Sequence, residues 1–286
     1  MSSKSLMLSK VRLKIPLLGG EIEVFLYGVE PQLAFAYEEQ ILKEGIRLQK
    51  IFNFFDKNSE LSVLNRNRKS KVSLELLEVM KKSIEFSIIT EGLYDVTKGK
   101  QFIQRKNCQP VDDLHCSYKD IKITGNTIIL DSEDALIDLG SIAKGYIADR
   151  FVDFLKELNV ACGIVNARGD IANFGNYRHL IQIQNPRESH ERILSFFLSD
   201  AAVATSGDYN QFYGDYLKSH IVGSKDIISA TAVSKKLMEA DAAATSIFVL
   251  GSEKIPEFAK KIPNIKIATI DRNMKLKLYN GFESLL

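Results

Sequence analysis

The chain has 286 residues, 45% of them hydrophobic, enough to bury a sizeable core in one large domain or two small ones. Charged residues make up 26% and the formal net charge is only +2, so no global field argues for nucleic acid or an anionic membrane as a partner. Val11, Leu13 and Ile15, then Ile22, Val24 and Leu26, alternate with polar residues on either side of Gly19-Gly20, which predicts a β-hairpin. Over residues 32–55, Phe35, Ile41, Leu42, Ile46, Leu48, Ile51 and Phe52 follow imperfect helical spacing, and residues 74–89 give a second helix. A polar stretch at 56–60 lies between them. Residues 98–117 have weak periodicity and read as loop and short helix. Residues 127–130 and 135–137 read as extended, and Ile147, Phe151, Phe154, Leu155 and Leu158 as one face of a helix. Strands are expected at 163–166, 180–184, 193–198, 202–205, near Ile221 and at 230–233, with a turn at Arg168-Gly-Asp170, a short helix at 209–213 and a helix at 238–250. No repeat, low-complexity tract or proline-rich linker marks a boundary. One mixed α and β domain over residues 1–286 is expected, with a two-lobed arrangement as the alternative.

Cys108, Cys116 and Cys162 have neither the paired spacing of a zinc site nor the density of a disulfide scaffold, so reduced, partly buried thiols are expected. The apolar run within the first ten residues, Leu6-Met-Leu8, is too short for a signal-peptide core or a membrane span. The sequence as it stands is therefore expected to be cytoplasmic, and exported to a periplasmic, anchored state if a signal segment preceded it.

The segment Ile137-Asp-Leu-Gly-Ser-Ile-Ala-Lys-Gly-Tyr-Ile-Ala-Asp149 carries a carboxylate, two glycines and a lysine where an apolar strand is expected to turn into a helix. Gly140 and Gly145 let backbone approach a ligand, the first helical amides are free donors, and Lys144 adds a mobile positive charge, which suits a phosphorylated ligand. A plain strand-to-helix turn, with Asp138 as cap and Lys144 in solvent, reads equally well. Asp241-Ala-Ala-Ala-Thr245 puts a carboxylate and a hydroxyl on one helix face, both hard oxygen ligands suited to Mg²⁺. Alternatively Asp241 caps its helix and Thr245 bonds back to a carbonyl. Thr205-Ser-Gly-Asp-Tyr209 is a small-residue turn whose amides and hydroxyls suit a phosphate, and Asp170 in its own turn bonds nearby backbone. Tyr94-Asp-Val-Thr97 faces a nucleobase or flavin, or ends a strand with Asp95 in an Asx-type turn. His115, His179 and His190 read as solvent groups, and His220, ahead of Ile221-Val222, as an ordered imidazole.

Taken together, these motifs resemble the ApbE-type FAD:protein FMN transferases. The resemblance rests on Phe54-Phe-Asp-Lys-Asn-Ser-Glu-Leu-Ser62, Tyr94-Asp-Val-Thr97, Ile137-Asp-Leu-Gly-Ser-Ile-Ala-Lys-Gly-Tyr146, Asn166-Ala-Arg-Gly-Asp-Ile171, Ala204-Thr-Ser-Gly-Asp-Tyr209, His220-Ile221 and Ala240-Asp-Ala-Ala-Ala-Thr245, and covers about residues 15–251. It implies an α+β fold of mixed sheets with packed helices, a T-fold-type single large domain. It also implies a Mg²⁺-dependent enzyme that moves the FMN half of FAD onto a Thr or Ser hydroxyl of an acceptor protein and releases AMP. By the same resemblance, Asp241, Thr245 and the main-chain carbonyl of Ser141 would hold the metal, and Lys144 and Asp138 would lie in the flavin nucleotide pocket. Leu18, Phe55, Leu93, Tyr94, Asp95, His220 and Ile221 would complete its walls. Asp241 or His220 would take the acceptor proton, and Lys144 would help hold the charge of the leaving AMP. An FAD pyrophosphatase giving FMN and AMP, and a flavin-binding paralogue without turnover, are the alternatives. Four features depart from the family pattern: His220-Ile-Val-Gly-Ser224 lacks the usual Asp-Pro, Arg168-Gly169-Asp170 stands for Gly-Gly-Asp, the tryptophan common downstream is absent, and Leu18 stands where methionine is usual.

Overall fold

The structure, a computed structural model, describes residues 9–209 and 226–286. Strands β1 (Lys10–Leu17) and β2 (Gly20–Tyr27) form the expected hairpin, with Leu13, Ile15 and Leu17 facing Ile22, Val24 and Leu26 in the core and Lys10, Arg12 and Lys14 outside. Its two-residue turn puts Leu18 at φ 58 and Gly19 at φ 68, the pair of positive angles that matches strand twist. Leucine takes that angle at a cost on the order of 1 kcal/mol. Two contacts hold it there: the Leu18 amide donates to Gln49 Oε1, and Arg168 donates to the Leu18 carbonyl.

In chain order there follow α1 (Pro31–Phe52), α2 (Glu60–Asn67), β3 (Lys69–Lys71), α3 (Leu74–Ile89), α4 (Gly99–Lys106), β4 (Ile121–Thr124), β5 (Thr127–Leu130) and α5 (Ala143–Glu157). The second half holds β6 (Cys162–Ala167), β7 (Asp170–Phe174), β8 (His179–Gln184), β9 (Arg192–Leu198), β10 (Ala201–Gly207), β11 (Ile227–Ser234), α6 (Leu237–Leu250), α7 (Ile255–Lys261), β12 (Lys266–Asp271) and β13 (Leu276–Tyr279). Eight strands make one antiparallel sheet in the order β1-β2-β6-β7-β10-β11-β12-β13. Helices α1, α5 and α6 cover one face of it. On the opposite face, Ile181, Ile183, Phe196 and Leu198 of the β8–β9 hairpin pack with Ile228, Ala268, Ile270 and Phe282. Strand β11 lies between these layers, and every one of its residues is buried.

Helix α6 is mostly apolar around its circumference, as suits a helix enclosed by α5, α3, β10 and β11. Its alanines, and Gly145 on α5, permit an unusually close approach. A Cβ at position 145 would lie 2.5 Å from the Leu237 carbonyl oxygen, so only glycine fits without moving a helix.

Several elements differ from the sequence reading. Residues 135–137 form no strand and are pinned singly. Leu136 bridges Lys98, and Asn65 uses its side-chain amide to donate to the Ile137 carbonyl at 2.9 Å and accept from the Ile137 amide at 2.8 Å. The turn at Arg168-Gly-Asp170 runs directly into β7, whose Ala172, Asn173 and Phe174 are buried, so the 2-residue period of one polar and one apolar face is absent there. His179 is buried in β8 beside the stacked rings of Tyr27 and Tyr177 and is no solvent group. Burial and nearby Lys10 push its pKa down to about 4. The helix and strand expected over 210–225 lie outside the described residues. Cys116 and Cys162 are buried, Cys108 is exposed, and all three are free.

Candidate active site

A cleft of about 1300 Å³ opens between the helical layer, the β1–β2 and β6–β7 turns and the end of β10. Leu18, Phe55, Leu93, Tyr94, Asp95, Asp138, Ser141, Lys144, Asp241 and Thr245 all line it, whereas His220 and Ile221 lie outside the described residues. A smaller recess of about 390 Å³ shares Asp95 and Lys98 but is not lined by Asp241, Thr245 or Lys144.

Asp241 sits in the second turn of α6, not at its cap. The N-terminus of α6 is capped from another helix: Asp149, on α5, accepts from the amides of Leu237 at 2.8 Å and Met238 at 2.9 Å. Asp241 Oδ2 instead accepts from the Gly145 amide at 3.3 Å, so the close approach of α5 and α6 delivers its partner. Burial raises the Asp241 pKa to about 7, against the pull of Lys144. Thr245, one turn on, makes no bond to its own helix among the described residues and lies 3.1 Å from Ser206 Oγ on β10. Among the described residues, Asp241 therefore does not cap its own helix and Thr245 does not bond back to it.

Lys144 projects from the first turn of α5 into the cleft and pairs with the Asp170 carboxylate. Asp170 does not bond its own turn: its Oδ1 accepts from the Thr205 amide at 3.0 Å, tying β7 to β10. Lys144 is desolvated by its surroundings, yet Asp170 and Asp241 together raise its pKa above that of a free lysine, so it remains a cation. Asp138 Oδ1 accepts from the Gly140 amide at 2.9 Å, which shapes the loop before α5 without capping the helix. Burial raises its pKa.

Tyr94 is buried, and its phenol oxygen accepts from Ser141 Oγ at 3.0 Å, so the Ser141 side chain is turned away to a protein partner. The carboxylate of Asp95 accepts from the Thr97 amide and hydroxyl and from the Tyr118 amide, the Asx-type turn. At the cleft mouth the exposed Phe55 ring stands edge-on to Phe54 at 5.2 Å, with Phe102 nearby and Lys106 Nζ 4.0 Å above it. Sequence reasoning did not single out Phe102 and Lys106, although their i, i+4 spacing puts them on one face of α4. Nor does the sequence pair Asp149 with α6, Ser206 with Thr245 or Asp170 with Lys144 and Thr205, since these partners are long-range in sequence.

The acid and alcohol on α6, Asp241 and Thr245, both offer oxygen donors, and Ser141 lines the same cleft. Hard oxygens of this kind suit Mg²⁺, which keeps part of its water shell and is completed by phosphate oxygens. Asp241 Oδ1 accepts no hydrogen bond among the described residues, so one oxygen of the carboxylate remains for a cation.

The sequence profile of the ApbE family matches residues 18–269. The FAD:protein FMN transferase of Vibrio cholerae serotype O1 is 30% identical over 265 residues, 81% of this chain and 79% of the relative. That of Haemophilus influenzae is 26% identical over 72% of this chain and 70% of the relative. The solved flavin transferase ApbE from Vibrio cholerae superposes with a TM-score of 0.82 at 24% identity, covering 98% of this chain and all of the other. The ApbE protein from Thermotoga maritima gives 0.85 at 22%, covering 97% and 99%. Fold and relatives together define an enzyme of the transferase class. The chain belongs to the ApbE family.

Proposed function

We propose that this protein transfers the FMN half of FAD to a Thr or Ser hydroxyl of an acceptor protein and releases AMP, with Mg²⁺ as cofactor. The observation that carries this reading is that Asp241, Thr245 and Lys144 line one cleft together with the aromatic rings of Phe54, Phe55 and Phe102. Asp241, Thr245 and the Ser141 carbonyl would hold Mg²⁺, which when bound neutralises charge on the pyrophosphate. Phosphoryl transfer asks a protein mainly for positioning and charge stabilisation.

The acceptor oxygen forms a bond to the phosphorus on the riboflavin side, and the bridging P–O bond breaks. FMN ends esterified to the acceptor, and AMP departs with the bridging oxygen. Lys144, kept charged and aimed by Asp170, meets the negative charge of the leaving phosphate. Asp241 or His220 takes the acceptor proton. Phe55 and Leu93 give the planar ring an apolar wall, and Asp138 faces it from the loop before α5.

The test is incubation with FAD and Mg²⁺, with and without a hydroxyl-bearing acceptor. AMP and an acceptor heavier by FMN are expected. FMN and AMP with no mass gain would replace transfer by hydrolysis, and tight FAD binding without AMP would remove both enzymatic readings.

A further inference from the structure

A hydroxyl that binds a cation does so through a lone pair, and its hydrogen then needs an acceptor. For Thr245 that acceptor is not its own helix, where a threonine often bonds back to the carbonyl four residues earlier. The group within reach is Ser206 Oγ, 3.1 Å away on β10, in a hydroxyl pair in which either oxygen can donate. Ser206 Oγ has no other hydrogen-bond partner among the described residues, and both side chains line the cleft. The strand that carries Ser206 is well held: Ser206 pairs with Ala230 in register, Thr205 Oγ1 lies 2.9 Å from Thr231 Oγ1, and the Thr205 amide is fixed by Asp170.

We propose that Ser206 is a positioning residue of the divalent-cation site: it accepts the Thr245 hydroxyl hydrogen and so turns the Thr245 lone pair into the cleft. The inference rests on the reading of Asp241 and Thr245 as cation ligands. A common pattern runs through the three groups. The Gly145 amide occupies one oxygen of Asp241, Tyr94 takes up the Ser141 side chain, and Ser206 takes up the Thr245 hydrogen. In each case one polar atom of the residue is tied to protein, which would leave another for the cation. Such outer partners set the orientation of the ligands and hence affinity.

The experiment is a titration of the metal-free protein with Mn²⁺, counting free ion by electron paramagnetic resonance, with Mg²⁺ as competitor and thermal melting as a check on folding. Ser206→Ala should weaken Mn²⁺ binding on the order of tenfold, while Ser206→Thr, which keeps the hydroxyl, should stay within about threefold of the parent. Ser206→Cys keeps the volume with a much weaker acceptor, so it should fall with Ser206→Ala and separate lost acceptance from a packing gap. In a Thr245→Ala background, Ser206→Ala should add nothing. Parent-like affinity in Ser206→Ala, alongside loss of binding in Asp241→Ala, would overturn the role of Ser206 and leave the cation site standing. An undiminished effect of Ser206→Ala in the Thr245→Ala background would also overturn it. Parent-like affinity in Asp241→Ala would overturn the cation site itself and this inference with it.

Discussion

Lys144 is the residue on which the charge balance of the cleft depends, because it stands against Asp170 and influences Asp241, both buried. Replacing it by methionine leaves two carboxylates without their cation, and removing one partner from a buried pair costs about 3–5 kcal/mol. Lys144→Met is therefore expected to lose about that much stability to urea at pH 7. The deficit should shrink toward pH 5, since a carboxyl whose folded pKa is raised stabilises the fold when protonated and loses that contribution as pH rises. A deficit equal at both pH values would refute this balance. Asp241→Ala is expected to abolish metal-dependent turnover with a melting temperature at or above the parent's, because it removes a buried acid whose ionisation the fold opposes. Metal-dependent turnover at the parent rate would refute its assignment. The spacing of Asp241 and Thr245 was legible in the sequence because both lie on one helix. Ser206 and Asp170 were not, since their partners lie 39 and 35 residues along the chain and only the folded sheet brings them together. His179 reads differently for a related reason: the segment before it, Asn176-Tyr-Arg178, is polar, but its neighbours in space are two tyrosine rings.

At the scale of elements, the site is a product of the α5–α6 contact. Gly145 lets the helices touch, and Asp149 then supplies a cap that α6 lacks on its own, its preceding Lys236 making no side-chain cap bond. Loss of a helix cap costs about 0.5–2 kcal/mol, so Asp149→Ala should destabilise the protein by that order and weaken cation binding by shifting Asp241. Burial also raises the Asp149 pKa to about 6 from 3.8. Between these values the native state keeps a proton that the unfolded chain gives up, so this group makes stability fall with rising pH by at most about 1.4 kcal/mol per unit. Asp149→Asn should flatten that part of the stability curve, and an unchanged slope between pH 4 and 6 would sink the account. The helices themselves are legible in sequence: α1, α3 and α5 by apolar spacing, imperfect in α1, and α6 by a long, mostly apolar run. The central strand β7 was missed because a strand buried on both faces shows no alternation.

Across the whole molecule, the sheet separates two apolar clusters, one under the helices and one under the β8–β9 hairpin. Phe196 lies in the second, edge-on to Phe282 at 5.0 Å, with the sheet between it and α6. Phe196→Ala should cost about 3–5 kcal/mol of stability. Its cation affinity, measured below the melting range, should remain that of the parent; a matching loss of affinity would mean the two faces are coupled through the sheet. One rim of the cleft joins turns that are far apart in the chain: Arg168 lies over Gly20 and donates to the Leu18 carbonyl, locking the β6–β7 turn to the β1–β2 turn. Among relatives, positions 18–20 and 168 should then change in concert, as a single heritable unit. A chimera that takes one turn from a homologue without the other should fit worse than either parent.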